Sequence, residues 1–209
     1  MFRIARVGVL AASLLLNACN VVVTKTPLFS KADAAGAPPL RPGLWRFSSD
    51  QDCTVDESKP LVDWPKCAGG VVFSDGAAGY YDRDSGAPVW TTQSLVLAAG
   101  EPRVGQLQAK VSGNVKVGAS PYVYAGVRAT KSDSDRRILE ISFWPVQCGP
   151  PSSGKAMEGT DKPLAGMEMK PGDPVCTTAS KEALRAAATA SEAWAPKRLT
   201  AHWLREAER

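Results

Sequence analysis

Histidine is nearly absent from this chain: His202 is the only one in 209 residues. No two cysteines stand at close ligand spacing either, so a Cys/His metal centre lacks its ligands. A C-x-x-C pair is missing, which removes the usual redox motif. There is no G-x-S-x-G elbow. Residue order alone leaves a Ser–His–acid arrangement through His202 open, but nothing else supports it. An excess of one charge is also lacking. Arg3 and Arg6 account for two of the 25 basic residues, leaving 23 against 21 acids and no basic stripe. That balance argues against nucleic acid as a partner. The longest apolar run, Val7 to Leu16, is about half of the roughly 20 residues needed to cross a bilayer as a helix.

What is present starts at the N-terminus. Arg3 and Arg6 precede the apolar run, and small residues follow it, the three-part design of an export signal. The run ends in Leu16-Asn17-Ala18-Cys19. This resembles the lipobox of bacterial lipoproteins, with Leu three residues before the cysteine and a small residue directly before it. The resemblance implies a signal peptide over 1–18, diacylglyceryl transfer to the Cys19 sulfur, and acylation of the new amino group. Two or three acyl chains would anchor the protein durably, at about 0.8 kcal/mol per buried methylene. Asn20 in place of Asp implies, by the same resemblance, the outer membrane facing the periplasm. The competing reading is an ordinary signal peptide cut near Ala18.

Four further cysteines, Cys53, Cys67, Cys148 and Cys176, read as two disulfides in an exported chain. Of the three pairings, Cys53–Cys67 and Cys148–Cys176 each close a local proline-containing loop. Cys19 explains the odd fifth thiol.

Residues 19–39 are small, polar and proline-terminated, and read as a lipidated N-terminus and flexible tether. Within them, Val21–Val23 either lies in the membrane interface or pairs as a strand. Residues 40–209 read as a single β-rich periplasmic domain, a size that suits one core. Period-two alternation or turn-bounded apolar runs predict strands near 41–47, 70–73, 79–81, 89–97, 104–111, 122–130 and 137–147. Gly43-Leu44-Trp45 resembles the Gly-x-Trp opening strand of lipocalin-like barrels. In 137–147, Leu139, Ile141 and Phe143 face one way and Trp144 falls on the polar side. Residues 149–175 form a long Pro/Gly-rich loop. Thr178 or Ser180 caps an Ala-rich helix that runs to about Ala193 and stops before Pro196. Leu199, Ala201 and Trp203 alternate in a last strand. The fold class is α+β: an antiparallel sheet or partial barrel with one late helix, then a final strand.

The chemistry-bearing residues mostly take plain readings. Asp82-x-Asp84-x-Gly86 lacks the Gly and Glu positions of a calcium loop and reads as a hairpin turn. Met157, Met167 and Met169 offer thioethers suited to copper(I), without supporting His or Cys. Asp52, Asp56, Glu57 and Asp63 read as a solvated loop. No catalytic residue, metal site or cofactor is expected. The leading functional expectation is a non-enzymatic, membrane-anchored domain that binds or supports an envelope protein. The alternative is a carrier of a small apolar ligand inside the curved sheet, lined by Trp90, Tyr122, Tyr124 and Trp144. A hydrolase is the third. An apolar cavity lined by inward faces would favour the carrier, and a filled core with a flat apolar patch the partner.

Overall fold

A computed structural model describes residues 20–48, 53–82, 89–109, 121–152, 159–170, 173–195 and 198–207. Cys19, Asp52, Asp84, Gly86 and Met157 lie outside them.

Strands β2 (Gly43–Ser48), β3 (Gly70–Ser74), β4 (Ala77–Asp82), β5 (Val89–Ala98), β6 (Arg103–Gln108), β7 (Tyr122–Ser132) and β8 (Ile138–Pro145) pair antiparallel in chain order. The last strand, β11 (Leu199–Arg205), pairs with both β8 and β2. That double pairing closes an eight-stranded barrel, where the sequence suggested an open or partial one. Alternation cannot reveal closure, because β11 meets β2 across more than 150 residues of chain (Trp203↔Trp45, Ala201↔Phe47).

One end of the barrel is sealed. Residues 38–42 run across it: the Ile138 amide donates to Pro39 O, the Arg41 amide donates to Ile138 O, and Leu40 bridges to Ile138. The Trp45 indole donates to Arg41 O at 2.9 Å, and Trp203 donates to Pro42 O at 3.0 Å. The Arg41 guanidinium caps the Trp203 ring, 4.0 Å from its centroid. Trp45, Phe73, Val127, Ile138 and Ile141 are buried on this floor, with Trp45 and Phe73 packed edge to face.

Outside the barrel, helix α1 (Lys181–Trp194) covers β7 and β8. Ser180 caps it by accepting from the Ala183 amide at 3.1 Å. Leu184, Ala187, Ala188 and Ser191 form its buried face. The small side chains bring the helix close enough for direct polar contact with the wall. The Trp144 indole donates to Ala188 O at 2.8 Å, and the Gln147 amide donates to Ser191 Oγ at 2.8 Å. At the rim of this interface Glu192 takes a two-pronged contact from Arg128 and another from Arg198, which hold its carboxyl below the ordinary range.

The expected flexible tether is corrected over residues 20–39. Strand β1 (Val21–Thr24) is buried along its whole length. It pairs with β7 on one side and with β10 (Val175–Thr177) on the other. Phe29 is buried under α1. The Gln106 amide holds this segment by accepting from the Leu28 and Phe29 amides and donating to Phe29 O. Asp33 then pairs with Lys181 at 2.7 Å, and that bond draws its carboxyl down to about 2. Small residues and prolines suggest a tether, with Val21–Val23 as the exception, and of its two readings the strand is the one that forms. The few large apolar residues, Val21–Val23 and Phe29, decide the outcome because each finds a non-local partner.

The long 149–175 segment is also organised. It carries β9 (Glu168–Met169), which pairs with β10, and disulfides join Cys148 to Cys176 and Cys53 to Cys67.

Candidate functional site: the upper barrel lumen

Alternation assigns the inner face. Phe47, Tyr80, Thr91, Gln93, Leu95, Leu97, Gly105, Leu107, Ala125, Phe143 and Leu199 point inward with the floor residues, as register pairs such as Leu97↔Gly105, Gly105↔Ala125 and Leu95↔Leu107 require. Burial then divides the lumen into two halves. Most floor side chains are buried, whereas Phe47, Tyr80, Leu95, Leu107, Ala125, Phe143 and Leu199, higher in the barrel, keep part of their surface accessible.

Small residues alternate with large ones on the inner face. Ala125, Ala201 and Gly105 interrupt the larger side chains. A Cβ added at Gly105 would meet nothing closer than Val127 Cγ2 at 3.5 Å. An eight-stranded barrel is just wide enough for side chains to fill it or for one small ligand to fit. Here the lower half is filled by buried side chains, while inward side chains of the upper half keep part of their surface accessible.

The accessible half is mostly apolar. Phe47 and Phe143 stack edge to face at 5.7 Å. Its buried polar residues are Thr91 and Gln93 on β5, facing Tyr80 and Ala78 on β4. The Gln93 amide donates to the Tyr80 hydroxyl at 3.0 Å. Arg103 is the one charged inward position among the described residues, and it lies at the floor. It donates to Pro38 O and Leu97 O, and burial depresses its guanidinium pKa.

The expected lining is corrected. Tyr124 and Trp144 are fully enclosed on the outside of the barrel beneath α1, and Tyr122 packs beside them. The Tyr124 hydroxyl lies 2.6 Å from Thr24 Oγ1, and burial pushes its phenol up. Trp90 is half exposed on the outer wall, over Gly79 and edge-on to Tyr81. The helix explains this: an Ala-rich face leaves a gap that only bulky wall residues fill. The parity of Ile141 and Phe143 already pointed Trp144 outward, and that signal outweighs aromatic size.

The other candidates separate rather than converge. His202 is half-buried on the outer face, opposite Glu140 and Arg46. Met167 is buried in the core under α1 and Met169 sits in β9. Glu57 pairs with Arg46, and Asp56 binds the Ser58 amide and hydroxyl, which lowers its pKa. Among the described residues no three His, Cys, Asp or Glu side chains come together to hold a metal ion. No helix is long and apolar enough to cross a membrane. No protein-family model matches the chain, and no curated protein or solved structure matches it.

Proposed function

We propose that this domain is a carrier that binds one small apolar ligand in the upper half of the barrel. The observation behind it is the set of inward apolar side chains that keep accessible surface above a sealed floor. Partner binding, the leading expectation from the sequence, has less behind it. The large exposed hydrophobics among the described residues are Val62, Val89 and Trp90, too few for a broad apolar face.

The test is a titration with N-phenyl-1-naphthylamine, a neutral apolar fluorophore. Saturable one-site binding near the micromolar range, about −8 kcal/mol, is expected. Ala125→Trp should fill the lumen and weaken binding at least about tenfold while the far-ultraviolet circular dichroism is retained. A wild-type signal that rises without saturation would remove the carrier reading.

The address is a proposal of the same standing: export, acylation of Cys19, and residence at the outer membrane facing the periplasm. The packing of Asn20, the residue after Cys19, gives the anchor a definite consequence. Asn20 is fully buried, and its side-chain amide donates to Gly149 O at 2.8 Å. An acylated Cys19 would therefore hold the β1–β10 wall against the lipid, instead of at the end of a leash of roughly 65–70 Å. Cys19→Ala is expected to abolish acyl labelling and release the protein from membranes. Labelling that persists in this variant would rule out Cys19 as the anchor.

A further inference from the structure

We propose that the ligand is a neutral molecule, an apolar body carrying one carbonyl or hydroxyl group, and that carboxylates are selected against. The inference rests on the carrier reading and deepens it. A lumen built only for hydrocarbon would not enclose an amide and a hydroxyl in its wall. Gln93 is 5% exposed and Thr91 8%, and both share the inner face of β5 with Leu95.

A primary amide has two N–H donors and an acceptor oxygen. Among the described residues Gln93 uses one donor, toward Tyr80. Its second N–H and its Oε1 remain, and both donor and acceptor types are then present for a ligand. A carbonyl takes the N–H, and a hydroxyl takes either. The register places Thr91 directly across from Tyr80, and Gln93 one inward step deeper along β5, so the three polar groups form one short strip.

The same wall is unsuited to an anion. No described inward side chain of the upper half carries a positive charge. Arg103, at the closed end, gives both of its terminal nitrogens to backbone carbonyls, and its one unpartnered N–H, at Nε, is buried in the floor. A carboxylate at the level of Gln93 would leave water without a counter-charge, which is far costlier than burying a neutral hydroxyl that finds its hydrogen bond.

The experiment displaces N-phenyl-1-naphthylamine from the full folded domain with 1-dodecanol, methyl laurate and laurate, all below their aggregation limits. At about pH 7.5, where the acid is ionised, dodecanol or the ester should compete at least about tenfold more strongly than laurate. Laurate should gain strength as the pH falls toward its carboxyl pKa. Gln93→Leu should narrow the preference for the alcohol. Laurate competing as well as the alcohol at pH 7.5 would overturn the inference, and loss of laurate binding in Arg103→Met would then locate the anion at the floor. An unchanged preference in Gln93→Leu would also overturn it. If the fluorophore itself fails to bind in a saturable way, the carrier reading falls and takes the inference with it.

Discussion

Gly126→Ala is expected to destabilise the barrel by about 3 kcal/mol. Gly126 is central in β7, between Val104 of β6 and Trp144 of β8. Its outward side is occupied: an added Cβ would lie 2.4 Å from the Trp144 indole. The indole has nowhere to go, being fully buried beneath α1 and bonded to Ala188 O. Overpacking of this kind costs about 1–3 kcal/mol. Breaking the indole–carbonyl bond in a buried setting adds about 1–3 kcal/mol. Alanine returns about 0.5–1 kcal/mol through its lower unfolded-state entropy. Gly79 supplies the control. There an added Cβ would lie 2.2 Å from the Trp90 ring, but Trp90 is 45% exposed and can swing outward. Gly79→Ala should therefore cost less than about 1 kcal/mol. Urea unfolding separates the two through their midpoints at constant slope. Equal shifts for both variants would mean that the helix does not lock Trp144.

That contrast marks what the sequence can carry. Alternation located the barrel strands from Arg41 to Gln147 and the last one at Leu199–Trp203, because each has a wet and a dry side or turn-bounded ends. Capping and Ala-rich propensity locate α1, with Ser180, one of the two expected caps, in place. Three things were not legible. Closure depends on β11 finding β2 and β8 at once, a non-local event. The burial of β1 depends on β7 and β10, which leave no wet face for a pattern to show. The lumen was misassigned because aromatic size was weighed above parity. Tyr122, Tyr124 and Trp144 serve the helix interface, and the inner face carries their odd-numbered neighbours Ala125 and Phe143. Gln93 carries no signal of its own in the sequence, and its inward direction follows from the parity of Leu95 and Leu97.

Removing the Cys148–Cys176 disulfide by double alanine substitution is expected to cost about 3.6 kcal/mol from chain entropy alone, for a separation of 28 residues. For Cys53–Cys67, with a separation of 14, the same relation gives about 3.0 kcal/mol. The environments should widen that gap. Cys148 and Cys176 are buried in the core under α1, whereas Cys53 and Cys67 are half-buried on the outer wall. Cys148 also donates its amide to Asn20 O, and Cys176 pairs in register with Val22. The buried bond therefore joins the exit of β8, the β10 strand and residues 20–22. Its loss should speed amide exchange in β1, β9 and β10 before the barrel strands β2–β6 respond. Uniform acceleration across all strands would show that β1 and β10 fold as one unit with the barrel.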